Sequence, residues 1–329
     1  MILESIVIAI IPVILYIAII YLVDRYEKEP LWLLGAAFLW GAIPSIIFAL
    51  IVNTILSIPF YVFAGEGLGD ALSASLVAPL VEESVKGILL LALLIVWRQE
   101  IDSILDGIIY GAMIGLGFAM VENVFYFIGA FEEGGMEGWL SVVALRNVFG
   151  LNHSLFTAVT GLGIAIARLT PRPWVRYTTP VLGWMGAMFL HFVHNASASF
   201  GGVAGALVCI PLLANSWGGL FIMLIIIIWA ILQEKKWIKQ YLAEEVPAGT
   251  LSNEQYQTAS SGTRRLFHRY NLLLSHGPMG YWNALRFYHK CSELAYKKHH
   301  HSLHRDKKSL QLAEKLRGEI TQLGRLIRA

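Results

Sequence analysis

The sequence predicts an all-α fold, a polytopic transmembrane helix bundle of about seven spans with a helical cytosolic C-terminal tail. Hydrophobic residues make up 56% of the 329 residues and charged residues only 15%, whereas soluble domains carry about 25% charged residues. The mean hydropathy is +0.60. Most Lys and Arg lie beyond residue 233, so the composition separates a membrane domain, residues 1–233, from a basic tail, residues 234–329.

The predicted spans are apolar stretches of the length that crosses a bilayer, about 20 residues. Backbone groups in lipid must be hydrogen-bonded internally, and these runs are too long for strands, so each is predicted to be a helix. The first is predicted to be retained, because it lacks the basic start and the small-residue cleavage site of a signal peptide. In order, the spans are 5–23, 31–56, 71–97, 107–128, 141–169, 178–200 and 212–233.

The loops between these spans indicate the orientation of the chain, because Lys and Arg are retained on the cytoplasmic side of a membrane. Loops 57–70 and 129–140 contain acidic residues and no Lys or Arg. Basic residues lie at the other connections: Arg25 and Lys28 follow the first span, Arg98 follows the third, and Arg168, Arg172 and Arg176 surround the connection between the fifth and the sixth. The pattern predicts an outside N-terminus, a cytoplasmic C-terminus and an odd number of spans. We expect an integral protein of a bacterial or archaeal plasma membrane.

The tail is predicted to be helical, with a break between residues 247 and 262 that is rich in Gly and Ser. It also contains a group of histidines, His299, His300, His301 and His304. This group either binds metal or forms a solvated surface, and we favour the surface because an exposed run has no fixed ligand geometry. The net charge of +2 gives no indication of nucleic-acid binding. Cys209 and Cys291 fall in different compartments, so no disulfide is predicted.

Ionisable and polar side chains interrupt four of the predicted spans. They are Glu82, Glu83 and Lys86 in the third, Glu122 and Asn123 in the fourth, Arg146 and His153 in the fifth, and His191, His194 and Asn195 in the sixth. Counted from the predicted span ends, the glutamates with His153 and His191 reach a similar depth near the midplane. Ionisable groups at this depth are costly and indicate function. Taken singly, each can instead be a bond between helices, and Glu82 with Lys86 a neutralised i,i+4 pair.

The local sequence predicts a shaped cavity around these groups. Pro79 removes a backbone donor just before the acidic pair and is expected to bend the third span. Gly107, Gly111 and Gly115 repeat every four residues, which allows a second helix to approach the fourth span closely. The last two project on the same side as Glu122, so this face is predicted to pack inward.

These residue types are the ones that peptide hydrolysis inside a bilayer requires, namely a base that activates water and a donor or cation for the oxyanion. Glu82 or Glu83 can be the base, with Lys86 tuning the local charge. His153 and His191 can bind zinc with a glutamate as third ligand and water as fourth.

The metal prediction leaves an alternative open. The histidines and glutamates offer enough nitrogen and oxygen donors for zinc, with Glu122 as a further candidate ligand, and His191 and Asn195 share one helical face. The HExxH spacing of many zinc proteases is absent. The same imidazoles can instead orient water and the oxyanion in a metal-free glutamate mechanism.

Two other classes of protein also place Glu, His and Lys at mid-membrane. A proton-coupled transporter or channel does so, but the two halves of this sequence show no internal repeat. A non-catalytic scaffold that binds single-span partners is the third class. Cleavage of a substrate distinguishes a protease from both.

Several motifs, taken in order, resemble the PrsW family of intramembrane proteases, which is related to the CAAX prenyl protease and bacteriocin-processing (CPBP) proteins. The resemblance covers about residues 1–235. It rests on Asp24-Arg25-Tyr26-Glu27-Lys28-Glu29-Pro30, Glu82-Glu83-Ser84-Val85-Lys86-Gly87, Asp106-Gly107 with Tyr110-Gly111, Gly115-Leu116-Gly117-Phe118-Ala119 with Glu122-Asn123, His153 with Phe156-Thr157, and Leu190-His191 with Asn195.

The resemblance implies an intramembrane endopeptidase, metallo- or glutamate-type, that cleaves a single-span or otherwise membrane-anchored protein substrate in the lipid bilayer. The paired glutamates match the family's EExxK element and the last histidine its HxxxN element, although His194 stands where an aromatic residue is expected. The predicted site residues are Glu82, Glu83, Lys86 and Asn195 in catalysis, and His153, His191 and Glu122 at a zinc ion. We also consider a homodimer.

Overall fold

The computed structural model describes residues 1–24, 26, 28–201, 205–305 and 307–327. All regular secondary structure within these residues is helical, which confirms the predicted all-α class. Arg25 and Glu27, which contribute to the predicted topology and to the first family motif, lie outside the described residues. The chain forms two compact units, one of residues 1–21 and 29–226 and one of residues 22–28 and 227–329. The predicted boundary between membrane domain and tail, at residue 233, stays a prediction.

The described residues of the first unit contain all or part of ten helices, of which the first and the last have their final residues in the second unit. They are α1 (Ile2–Val23), α2 (Leu31–Trp40), α3 (Ile46–Ala64), α4 (Glu66–Leu72), α5 (Ala78–Val96), α6 (Ile104–Val148), α7 (Asn152–Leu169), α8 (Pro173–Ser199), α9 (Cys209–Leu213) and α10 (Gly219–Ala243). Three π-helical turns join consecutive helices, namely Gly41–Ser45, Ser73–Val77 and Ala214–Gly218. Short 3₁₀ turns lie at Arg98–Glu100 and Gly205–Val208.

Several helical stretches are long and apolar enough to cross a membrane, which agrees with a polytopic membrane protein. The described residues contain four of them, Ile2–Val23, Leu31–Ala64, Ile104–Leu169 and Cys209–Ala243. The predicted third and sixth spans are not among the four. Their helices, α5 and α8, carry the charged and polar residues of the candidate site, which lower their hydropathy. The count of about seven spans therefore stays a prediction.

Both predicted acidic loops are mostly helical, which is a correction to the sequence-based boundaries. In the first, 57–70, α3 continues to Ala64 and α4 begins at Glu66, so that only Gly65, with φ 76°, separates the two helices. In the second, 129–140, α6 continues and is kinked at Gly135, with φ 59°. Glycine adopts these positive φ angles without steric cost, so one residue is enough to change the chain direction.

The predicted fifth span, 141–169, is not one helix. The first part belongs to α6, which ends at Val148, and α7 begins at Asn152. Gly150 lies in the break, where its low helix propensity favours a turn. His153 is therefore the second residue of α7 and not a mid-helix residue, so the depth calculated for it along a continuous helix was wrong.

Helices α6 and α7 pack at close range through the predicted glycine repeat. A Cβ atom at Gly107 would overlap the carbonyl oxygen of Gly161, one at Gly111 that of Thr157, and one at Gly115 that of His153. The prediction of close helix approach is confirmed. The last contact holds the backbone of a candidate site residue directly against α6.

Gly115→Ala is expected to destabilise the protein by about 2 kcal/mol or more, because the added methyl group must displace the backbone of His153. Thermal unfolding of the purified protein in detergent measures this effect. Gly129→Ala is the matched control on the same helix, since nothing lies within 4 Å of a Cβ at that position. Equal melting temperatures for the two variants would contradict the close packing.

The second unit contains the helices α11 (Asn253–Ala259), α12 (Gly262–His304) and α13 (Lys307–Leu326). The short helix α11 and the turns on either side of it interrupt the predicted tail between residues 243 and 262, which agrees with the predicted break. A hydrophobic core joins these helices and includes Phe287, Leu294 and Ile320.

Burial raises the pKa of Glu245, but hydrogen bonds from Arg317 and Lys298 outweigh the effect of burial and lower the pKa of this carboxyl to about 2.

Candidate active site

Four helices of the first unit bring the predicted acidic and imidazole groups together. Helix α5 supplies both glutamates and Lys86, α6 supplies Glu122, α7 supplies His153 and α8 supplies His191. Pro79 lies in the first turn of α5, directly after the π-helical turn Ser73–Val77, so the bend expected at this proline is a local change of helix type. Such π-helical turns are frequent at functional sites.

Glu83 is fully buried, and both of its carboxylate oxygens have hydrogen-bond partners. One carboxylate oxygen, Oε1, accepts from Lys86 Nζ at 2.8 Å and lies 3.1 Å from His191 Nδ1. The other, Oε2, accepts from Thr157 Oγ1 at 3.1 Å. Because a carboxylate only accepts, the His191 proton lies on Nδ1 and leaves Nε2 as an acceptor. Glu83 therefore fixes the orientation and tautomer of His191.

Glu82 is held loosely by comparison. Its carboxylate oxygens lie 3.5 Å from Asn53 Nδ2, 3.5 Å from Lys86 Nζ and 4.0 Å from His191 Nε2. Its side chain also lines a cavity in the first unit. Of the paired glutamates, Glu82 is thus the one whose oxygens have lone pairs available to water or to a ligand.

His153 lies between an acid and a cation. Its Nδ1 is 3.1 Å from Lys86 Nζ, and its Nε2 is 2.9 Å from Glu122 Oε2. An ammonium group only donates, so Nδ1 is the acceptor and Nε2–H donates to Glu122. The ring also packs on Phe118, with centroids 5.2 Å apart, while Lys86 Nζ lies 3.7 Å from the centroid of the same phenyl ring.

Glu122 is anchored by a cation on its own helix, beyond the kink at Gly135. Arg146 pairs with its Oε2 atom, the same oxygen that accepts from His153. Arg146 also donates to Asn123 and stacks over the ring of Tyr126, 3.8 Å from the centroid. The two segments of α6 are thus joined at the site through Glu122.

A cavity of about 520 Å³ opens beside this cluster within the first unit. Its polar lining comes from α3 and from the helices that carry the cluster, and its apolar lining includes Phe118, Phe149 and Leu212. The polar lining residues are Asn53, Glu82, Glu122, Asn123, Arg146, Asn152, His153, His194, Asn195 and Ser199. A volume of this size is typical of ligand-binding pockets, which range over about 300–1,000 Å³.

His194 and Asn195, the other polar residues of the motif that contains His191, bind different partners. Asn195 Nδ2 donates to the carbonyl of Ala74 at 2.9 Å, so it binds α8 to the π-helical turn before α5. His194 Nδ1 lies 2.9 Å from Asn152 Nδ2 and 3.4 Å from Ser216 Oγ. The motif contains two histidines, and the structure shows which of them faces the site: His191 contacts the paired glutamates and His194 does not.

The residues present fit a bound metal ion. Glu82, His153 and His191 each offer one donor atom, and these atoms lie within 4.8 Å of one another. Two imidazoles and one carboxylate are a donor set of catalytic zinc sites. Three carboxylates and two cations, Lys86 and Arg146, leave one excess negative charge in the cluster when all are ionised, which favours a further cation. Glu122 is not a member of this donor group. It accepts from Nε2 of His153, and Lys86 Nζ lies 3.1 Å from Nδ1, so a metal ion bound at Nδ1 would replace the hydrogen bond from Lys86.

Sequence reasoning did not assign roles to three contacts at the site. Thr157 holds Glu83, Asn53 approaches Glu82 and Arg146 anchors Glu122. Asn53 could have been found as a lone amide within an apolar run. Thr157 follows His153 by four residues and therefore shares its helix face. The pairing with Arg146 depends on the kink at Gly135, which lies in the predicted loop 129–140; the sequence indicated the loop but not that Arg146 returns to Glu122.

Paired carboxylates, two imidazoles and a cation beside a cavity are the groups that an intramembrane hydrolase requires. Comparison with known proteins makes this specific. Residues 29–235, more than half of the chain, match the model of the PrsW family of intramembrane metalloproteases. The chain belongs to this family, which confirms the predicted family and the predicted class of enzyme.

Three bacterial relatives, each described as Protease PrsW, illustrate the similarity. The chain is 41% identical over 125 residues to that of Clostridioides difficile (strain 630), which covers 38% of this chain and 50% of the relative. It is 30% identical over 231 residues to that of Geobacillus kaustophilus (strain HTA426), covering 67% and 86%. For Bacillus subtilis (strain 168) the values are 32% over 120 residues, 36% and 51%. No solved structure shows significant similarity to this chain.

Proposed function

We propose that this chain is an intramembrane endopeptidase that hydrolyses a peptide bond of a membrane-anchored protein substrate. The observation that carries the proposal is the group of donor atoms from Glu82, His153 and His191, within 4.8 Å of one another beside a cavity. Membership of the PrsW family supports the reaction class. The curated relatives match this chain over different shares of their length, from 50% to 86%, so the substrate is proposed from chemistry alone.

Glu82 is proposed to accept the proton of the attacking water. Its carboxylate faces the cavity with long contacts to its neighbours, whereas Glu83 is saturated by three donors. Water then adds to the peptide carbon, the C–N bond breaks, and the proton passes from Glu82 to the departing nitrogen. Lys86, fully buried beside both glutamates, is proposed to balance the charge that develops on the substrate oxygen.

The two histidines are proposed to hold a zinc ion, with one carboxylate oxygen of Glu82 as the third ligand and its other oxygen left as the base. Each is fixed by an acid on its other nitrogen, His191 by Glu83 and His153 by Glu122, as is usual for histidines that bind metal. When bound, zinc would polarise the substrate carbonyl and acidify the water. We place Glu122 as the residue that orients His153, and Asn195 as the residue that positions α8. Without metal, the same imidazoles orient the water.

The experiment that tests this function uses the purified chain in proteoliposomes with a single-span protein as substrate. We expect cleavage within or beside the membrane-spanning segment, with no net flux of protons or ions across the vesicle membrane. Ion flux without cleavage would favour a transporter or channel. Binding of the single-span protein without cleavage or flux would favour a scaffold.

We further propose a topology of seven spans with an outside N-terminus and a cytoplasmic tail, residues 234–329. The distribution of Lys and Arg among the loops supports it. The proposed relation to CPBP proteins rests on the same motifs as the family resemblance, and a homodimer stays a prediction.

Single cysteines introduced at Gly134 and Gly318 are expected to react with membrane-impermeant reagents from opposite sides of the membrane, in a Cys209→Ser background. Both positions are open, with nothing within 4 Å of a Cβ atom. Labelling is measured in intact cells and in inverted vesicles. Labelling of the same two variants in permeabilised cells is the control, because it shows that each introduced cysteine can react. Labelling of both from outside would overturn the orientation.

A further inference from the structure

The second unit exposes an apolar helix face. In the first half of α12, five apolar or aromatic side chains are exposed on one side, namely Leu266, Phe267, Tyr270, Leu273 and Leu274. At about 100° per residue they cover an arc about 120° wide. The other side of the same helix contributes Leu272 to the core of the unit. This segment therefore has one apolar face in the core and a second that the described part of the chain leaves uncovered.

The charges around this exposed face have one sign. Residues 255–292 contain no Asp or Glu, but they contain Arg264, Arg265, Arg269, Arg286 and Lys290. On the helical projection Arg264 lies beyond one edge of the exposed arc and Arg269 beyond the other. A helix with an apolar face bordered by basic residues is typical of segments that lie in a membrane interface.

The chain continues the same pattern beyond a kink. Gly277, with φ 67°, interrupts α12 before Pro278, and the exposed Met279 and Trp282 follow. Tyr and Trp side chains concentrate at membrane–water interfaces, because their rings are apolar with one polar end. Two short apolar segments joined at a kink can both lie along a surface.

We propose that this surface, Leu266 to Trp282 of α12, binds the interface of a bilayer that contains anionic lipids. The apolar side chains enter the boundary between headgroups and acyl chains, and Arg264 and Arg269 contact the headgroup phosphates. The bilayer is the favoured occupant because the face is bordered by positive charge alone and because the membrane-spanning helices of the same chain keep the unit at a membrane. A second copy of this chain would bring like charges together.

The test measures the membrane contact of single positions in the full chain. Cys209, which is exposed, is replaced by Ser, while burial raises the pKa of the Cys291 thiol to about 12 and keeps it unreactive. A bimane label is placed at Leu274→Cys, or at Lys315→Cys as the matched control on α13. The two native side chains are similarly exposed, at 70% and 73%. The protein is reconstituted in vesicles that contain nitroxide-labelled phosphatidylcholine as quencher.

We expect about threefold stronger quenching at the Leu274 position than at the Lys315 position in vesicles of phosphatidylcholine with phosphatidylglycerol. Quenching should decrease in phosphatidylcholine alone and at high salt, because screening weakens the attraction between Arg and phosphate. Phe267→Glu should reduce quenching at the Leu274 position to the level of the control.

Two outcomes would overturn the proposal. Equal quenching at the two positions in every lipid mixture would show that the face is in water. A second copy of the chain would cover the face if the label becomes more protected from water as the density of protein in the vesicles rises, while the lipid quencher has no effect. Neither outcome bears on cleavage, so the proposal and the proposed function can fail independently.

Discussion

Glu82→Gln and Glu83→Gln are each expected to lower the rate of substrate cleavage by about 10³-fold, the size of effect associated with loss of a general base. In the first variant the amide cannot accept the proton of the attacking water. In the second, the charge that holds Lys86 and the Nδ1–H of His191 is lost, so the imidazole is no longer fixed. Cleavage of a single-span substrate in proteoliposomes measures both rates.

Two further variants make this prediction specific. Glu133→Gln, an exposed acid on α6, is the control that should leave the rate unchanged. Lys86→Met is expected to lower the rate less than either glutamate variant, because Lys86 balances charge and does not supply the base. All variants should insert and purify in similar amounts. Wild-type rates for both glutamate variants would remove the paired glutamates from the reaction.

His153→Ala and His191→Ala are each expected to lower the affinity for zinc by at least about 100-fold and to abolish cleavage, because each removes one of the donors. Elemental analysis of the purified protein gives the metal content, and the proteoliposome assay gives the rate. His194→Ala is the matched control on the same helix. Its ring contacts Asn152 and Ser216 outside the donor group, so this variant should retain zinc.

The same measurements distinguish the two proposed mechanisms. Stoichiometric zinc in the wild type, lost in both variants and retained in the control, supports the metal centre. Full activity of a sample verified as metal-free rules the metal out and leaves the glutamate mechanism. In that case both histidine variants should still lose activity, because the imidazoles would orient the water.

The sequence predicted the helical class and the residues of the cluster because both depend on local or compositional signals. Charged groups are rare in lipid, so Glu82, Glu83 and Lys86 were conspicuous in an apolar run. The glycine repeat predicted the close approach of α6 to α7, because only small residues permit it. These signals need no knowledge of how distant segments fold.

The remaining features depend on tertiary structure and could not be read from patterns. The helix break that places His153 at the start of α7 lies within the apolar run 141–169, which looks continuous in the sequence. Hydropathy measures the length of an apolar run and not its direction, so the end of α6 and the whole of α7 were predicted as one span. The different roles proposed for Glu82 and Glu83 follow from their hydrogen bonds, because Glu83 accepts from three donors and Glu82 has only long contacts. Two adjacent glutamates in a sequence do not indicate which of them will be saturated.

The central claim, that the buried cluster cleaves membrane-anchored proteins, is tested most directly by sequencing protein N-termini from cells. Cells that produce the wild-type chain are compared with cells that produce equal amounts of Glu82→Gln. We predict new N-termini that map within or beside the membrane-spanning segments of single-span proteins, present with the wild type and absent with the variant. Identical sets of N-termini in the two cultures, or differences confined to soluble proteins, would contradict the account.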